Sequence, residues 1–161
     1  MAIQVTSTAF AEEERIADRY TGEGQDVSPP LSWSNLPEDA KELALICDDP
    51  DAPTDEPWVH WVIYKIPAHA TGLPEGVPRK ARLKDTGMLQ GQNSWSTPAK
   101  PSLGYRGPIP PKGHGDHRYR FTLYALSGKL VVQPGVSKKQ LLSEMADHVL
   151  DTGKLVGLYS R

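Results

Sequence analysis

The chain has 161 residues, 38% of them hydrophobic and 24% charged, enough for one globular domain with its own core. Its formal net charge of −2 and the absence of any run of more than two consecutive Lys/Arg argue against nucleic-acid binding driven by bulk charge. No stretch approaches the ~20 apolar residues of a membrane span, and "MAIQVTSTAF" lacks the segments of a signal peptide, so a cytoplasmic protein without stable membrane insertion is expected.

In chain order, "IQVTS" (3–7) alternates and reads as a short first strand. "AEEERIADRY" (11–20) has helical propensity but only Ile16 and its flanks to anchor it, which is little for a helix. "SPPLSW" (28–33) is extended, because proline restricts the residue before it. "ELALIC" (42–47) is a continuous apolar run of the length of a fully buried strand, and it contains the single cysteine, Cys47, which reads as a buried small hydrophobe. One cysteine also excludes an internal disulfide.

"WVHWVIYKI" (58–66) is rich in β-branched and aromatic residues. Period two puts Trp58, His60, Val62 and Tyr64 on one face and Val59, Trp61 and Ile63 on the other. Residues 67–87 read as loops. "HRYRFTLYAL" (117–126) is the clearest strand: His117, Tyr119, Phe121, Leu123 and Ala125 share the face expected to point inward. "SKKQLLSEMADHVLDTG" (137–153) predicts a helix with Ser137 as N-cap, Gln140 completing a capping box and Gly153 as the stop. "KLVGLYSR" closes the chain as a last strand. The fold class is therefore mostly β, with one late helix between two strands.

Three places set polar residues against apolar strands: "DDPDAP" (48–53), His60, and the run "GYRGPIPPKGHGDHRY" (104–119) with its four glycines, three prolines and two histidines. Asp48, Asp49 and Asp51 directly after a buried strand are costly without partners, and imidazoles can supply them. Each piece also has a plain reading. "DDPDAP" is a solvated turn, His60 a satisfied core histidine, Tyr119 a core residue with its hydroxyl tied down, and the Gly/Pro run a stiff connector. Pro108 and Pro111 fit a polyproline ligand motif, but a strand begins six residues later. His114, His117, His60 and Asp49 could hold zinc or iron, yet they lack the helical spacing of a zinc-hydrolase motif. Neither a nucleophile elbow nor a phosphate-binding P-loop is present. No cofactor and no metal are expected.

Taken together, "DPDAP" (49–53), "HW" (60–61), "GPIPPKGHGDHRYRFTLYAL" (107–126), "YTGEGQDVSPPLSWSNLP" (20–37) and the closing "LVGLYSR" resemble the phosphatidylethanolamine-binding protein family, also called Raf-kinase-inhibitor-like proteins, in its compact bacterial and archaeal branch. The resemblance covers essentially the whole chain. It implies two antiparallel sheets packed as a β-sandwich-like single domain over residues 1–161, with one late βαβ helix. It also implies that 11–20 is a turn or irregular piece rather than a long helix.

In that family the matching motifs line a small surface cavity for an anion such as phosphate, phosphorylethanolamine or acetate. Carried over by motif, the implied site residues are Asp49, Asp51, Pro53, Trp58, His60, Gly107, Ile109, Pro111, His117 and Tyr119, with Pro53 a candidate cis-proline. Ile109 stands where animal members place a glycine. The resemblance implies a binding or regulatory module without turnover, whose loop 107–111 aims backbone N–H groups at the ligand. The alternatives it leaves open are an inhibitor of a protein kinase or a protease acting through the same face, an enzyme using an Asp/His pair, and association as a homodimer.

Overall fold

The apolar run 42–47 lies at the centre of the molecule. A computed structural model describes residues 2–161. The run belongs to a strand, Glu42–Asp49, that is buried along its whole length because strands pair on both sides and both faces are covered. The strands in chain order are β1 (Gln4–Thr6), β2 (Glu14–Arg15), β3 (Leu31–Ser34), β4 (Glu42–Asp49), β5 (Trp58–Pro67), β6 (Gly72–Leu73), β7 (Leu89–Gln90), β8 (His117–Leu126) and β9 (Val149–Tyr159), with one α-helix, α1 (Lys138–Met145), before β9. They form a three-stranded sheet, β1-β3-β6, and a six-stranded sheet, β2-β9-β8-β4-β5-β7. All pairs are antiparallel except the short β2–β9 pair.

The principal core lies between the two sheets. Val5, Leu31, Trp33 and Leu73 of the small sheet meet Leu43, Leu45, Trp61, Ile63, Phe121 and Leu123 of the large one. A second core lies on the far face of the large sheet, where Leu141 and Met145 of α1 cover Ala44, Ile46, Val62 and Tyr64. Burial of this apolar area on both faces is the main stabilising term.

The inward face of β8 is as expected: His117, Tyr119, Phe121, Leu123 and Ala125 are all buried. The segment 11–20 holds only two strand residues and a 3-10 turn, Asp18–Tyr20, yet Ile16 within it is fully buried. The helix is shorter than predicted. Ser137 caps it through the full capping box with Gln140, but it ends at Met145, and Val149–Gly153 pair with β8 instead. Only Leu141 and Met145 are buried on α1, so the apolar residues from 146 onward had no face to cover, and the β8 ladder claimed them. β8 and β9 are antiparallel neighbours. The expected βαβ crossover is thus a hairpin connection that carries a helix.

The faces of β5 also differ from simple alternation. Cys47 pairs with Trp61 but Asp48 pairs with Val59, which leaves His60 as an extra residue. This β-bulge shifts the phase of the strand. Trp58, His60, Trp61 and Ile63 therefore face the principal core, while Val59, Val62 and Tyr64 face α1. A second irregularity follows at Lys65, whose φ is 55°.

Candidate functional site

One end of the large sheet brings three chain segments together. β4 ends in Asp49, β5 begins with Trp58 and the bulged His60, and β8 begins with His117 and Tyr119, all on the face of the principal core. The hollow they line has a volume of about 220 Å3. That is below the ~300–1,000 Å³ of pockets for drug-sized ligands, so its size suits a small molecule or a single head group. Pro53, Ile109 and Pro111 lie on its rim, with Trp95 and Pro110.

The three aspartates after β4 each find a different partner. Asp48 points to the far face, where Arg120 grips it through Nε and Nη2 at 2.8 and 2.9 Å and Lys138 Nζ approaches to 2.7 Å. Burial works to raise its pKa, but these two cations outweigh it and the carboxyl is held low. Asp49 points into the hollow. Its Oδ2 lies 2.6 Å from His117 Nδ1, and its Oδ1 accepts the Asp51 N–H at 2.8 Å. Asp51 turns outward and takes the Arg118 guanidinium bidentately, at 2.9 and 2.8 Å, together with the Arg118 N–H.

That last pair has a pH consequence. The Arg118 guanidinium holds the Asp51 carboxyl at about 2, against ~3.9 for a free aspartate. A carboxyl depressed in the folded state contributes stability that is present above the unfolded value and lost as pH falls from about 4 to about 2. Acid unfolding of Asp51→Asn is expected to be shallower than wild type across that window, read by circular dichroism. Because Arg118 is more than half exposed, the difference is expected to be small.

His60 is held from below. Its Nδ1 lies 2.6 Å from the Arg106 carbonyl, an acceptor, so Nδ1 carries the hydrogen and donates. Burial pushes the imidazole pKa down, and His60 is neutral with Nε2 as an acceptor. Burial likewise pushes the Tyr119 hydroxyl up, so it stays protonated. No buried side-chain nitrogen or oxygen among the described residues lacks a hydrogen-bond partner. His60 Nε2 and the Tyr119 hydroxyl have no protein partner, yet their residues are only 2% and 1% exposed. Both atoms must therefore open on the hollow, which both residues line.

Trp95 closes the hollow over His60, with ring centroids 5.2 Å apart, and stands edge-on to Trp58 at 5.5 Å. Arg106 lies over its indole at 5.3 Å. The loop before Trp95 is tied to the edge of β5 by Gly91 N–H to the Val62 carbonyl and Ser94 N–H to the Val59 carbonyl. Sequence reasoning missed Trp95; the available signal was a large aromatic inside the polar stretch "GQNSWSTP".

Two motif-derived residues do not reach the hollow. Asp51 is occupied by Arg118 at the surface. Gly107 donates its N–H to Asp26 Oδ1 at 2.6 Å, so the loop does not offer that amide to a ligand. The glycine is required for another reason: a Cβ there would lie 2.2 Å from the Tyr20 carbonyl. The whole loop is bound down in this way. The Tyr105 hydroxyl donates to the Tyr20 carbonyl, Gly22 N–H to the Pro108 carbonyl, and Arg161 Nε to the Pro110 carbonyl. The loop contributes apolar walls, including Ile109, which packs against Gly22. Pro53 also lines the rim, but through a trans peptide; no cis bond occurs among the described residues. The Asx turn closed by Asp49 and the Asp51 N–H shapes the segment with the isomer that is intrinsically favoured.

Residues 6–160 match the family model described as phosphatidylethanolamine-binding protein. The chain belongs to the phosphatidylethanolamine-binding protein family. Among relatives of this family, a "UPF0098 protein" of Methanothermobacter thermautotrophicus is 54% identical over 153 residues, covering 95% of each chain. The crystal structure of a putative phosphatidylethanolamine-binding protein homolog, CT736, from Chlamydia trachomatis is 37% identical and superposes with a TM-score of 0.86, covering 99% of this chain and 98% of that one. Escherichia coli YbcL, described as a new member of the mammalian family, is 32% identical with a TM-score of 0.89, covering 100% and 99%. The mostly β, two-sheet architecture is thus the fold of this family. No helix among the described residues is long and apolar enough to cross a membrane.

Proposed function

We propose that this phosphatidylethanolamine-binding protein family member binds a small oxyanion, of the phosphate, phosphoryl head-group or carboxylate class, in the hollow between Asp49, Trp58, His60, Pro111, His117 and Tyr119, and does so without turnover. The observation that carries the reading is the pair of unpartnered polar atoms, His60 Nε2 and the Tyr119 hydroxyl, set in almost fully buried side chains beside the Asp49–His117 pair. Both atoms open on the hollow, and an oxyanion carrying one hydrogen can pair with both at once. Tyr119 donates to an anionic oxygen, and neutral His60 accepts from a protonated one. His117, whose Nδ1 donates to Asp49, adds Nε2 as a further acceptor for a protonated oxygen.

The reading without turnover rests on the available nucleophiles. The Thr54 hydroxyl donates to the Glu56 carbonyl at 2.6 Å, and burial pushes the Cys47 thiol well up. Neither is activated by an adjacent base.

Titration of inorganic phosphate, acetate and phosphorylethanolamine into the wild-type chain, followed by calorimetry, tests the reading. Saturable binding is expected, lost when His60 and His117 are both changed to Ala. Undiminished binding in the double variant would remove the assignment.

A further inference from the structure

His114 meets the ring nitrogen of His117 that Asp49 leaves free. Its Nδ1 lies 2.6 Å from His117 Nε2, while His117 Nδ1 lies 2.6 Å from Asp49 Oδ2. An ionised Asp49 only accepts, so His117 Nδ1 carries a hydrogen and donates it. The two facing nitrogens of His114 and His117 then share one hydrogen. A ligand that pairs with His117 Nε2 therefore has to displace His114 from it.

The two rings differ in freedom. His117 is 2% exposed, sits on β8 and is fixed by Asp49. His114 is exposed and lies between Gly113 (φ 75°) and Gly115 (φ 82°), both with open space around them. Its segment is held by Gly113 N–H to the Arg161 carbonyl at 3.0 Å and by a long His114 N–H contact to the Pro111 carbonyl at 3.3 Å. His114 is the partner that moves.

We propose that His114 is a built-in competitor of the ligand: its imidazole caps His117 Nε2 in the free protein and is displaced when an oxyanion takes that nitrogen. This rests on the oxyanion reading of the hollow and deepens it, because it makes His114 a positioning residue that sets affinity. The groups that face the pair are Asp49 from β4, the neutral His60 from β5, and Tyr119 beside His117 on β8. The Asp51–Arg118 ion pair lies at the rim, Lys112 and Asp116 are exposed in the same loop, and Arg161 sits at the chain end. Across the ladder on β9, the Tyr159 hydroxyl is turned to Asp18 and Glu23. Asp49 is the one carboxylate hydrogen-bonded to either ring among the described residues.

The test uses inorganic phosphate, which carries both an O–H donor and acceptor oxygens at neutral pH, titrated at one fixed pH into the full chain and into His114→Ala by calorimetry. His114→Ala is expected to bind phosphate roughly 3- to 10-fold more tightly than wild type, the worth of one released hydrogen bond. Equal or weaker binding by His114→Ala, with wild type binding phosphate, would overturn the cap alone and leave the oxyanion reading in place. In the free protein, nitrogen-15 spectra of the imidazoles should show coupling between His114 Nδ1 and His117 Nε2 through the shared hydrogen, lost on saturation with phosphate. Absence of that coupling also overturns the cap. If the coupling is present but neither protein binds phosphate, the oxyanion reading fails and the proposal falls with it.

Discussion

Changing His117 to Ala is expected to weaken phosphate binding by about 10- to 100-fold and to destabilise the protein, whereas His117→Asn is expected to weaken binding as much with far less loss of stability. The ring has two jobs at two nitrogens. Nε2 lies on the ligand side, and a hydrogen bond to a charged group contributes about 1.5–3 kcal/mol, which sets the fold-change. Nδ1 satisfies Asp49, which is only 3% exposed and whose other oxygen accepts just the Asp51 N–H. Ala leaves that buried carboxylate without its ring partner, a loss of about 3 kcal/mol or more. The Asn amide stands close to the position of Nδ1 and can still donate. Calorimetry for binding and denaturant unfolding for stability separate the two effects. If His117→Asn bound phosphate like wild type, Nε2 would not be a ligand contact.

Gly107→Ala is expected to lower stability by about 2 kcal/mol, within the range for inserting atoms into packed space, and the melting temperature by about 5 °C. The obstruction is rigid. The new Cβ would meet the Tyr20 carbonyl at 2.2 Å, the Thr21 Cα at 2.8 Å and Asp26 Oδ1 at 2.9 Å, and two of these are backbone atoms. Relief requires the loop to lift from residues 20–26, which breaks the Gly107 N–H bond to Asp26. Ile109 and Pro111 line the hollow from this loop, so anion affinity should fall with stability even though Gly107 touches no ligand. A thermal scan and a phosphate titration of the same sample read both. An unshifted melt would show that the loop is not clamped at this point.

The strands of the large sheet were legible because their side chains answer to burial. "ELALIC" is apolar throughout since it is central, and "HRYRFTLYAL" alternates since its inward face meets the core while Arg118 and Arg120 reach carboxylates outside. What failed depended on partners distant in sequence. The bulge at His60 is a register effect between β4 and β5, and no period in "WVHWVIYKI" announces it. The end of α1 was misplaced because the apolar residues at 149 and 150 fit a helix pattern but belong to the β8–β9 ladder, where they remain over a third exposed.

Most of the motif residues line one hollow, but motif membership does not say which way a group points. Asp49 and Asp51 are two residues apart, and only Asp49 faces the hollow. Gly107 is in the right loop with its N–H turned to Asp26. His114 entered the sequence reading only as a metal candidate, and its contact with His117 is set by the positive φ angles of its flanking glycines.

In the proposed function, the end of β4, the bulge of β5 and the start of β8 build one receptor for an oxyanion. A crystal structure of the chain grown with inorganic phosphate tests it most directly. A phosphate ion is expected between His60 Nε2, the Tyr119 hydroxyl and His117 Nε2, with His114 swung away. A hollow holding only water at saturating phosphate, with His60 Nε2 and Tyr119 still unpaired by any anion, would contradict it.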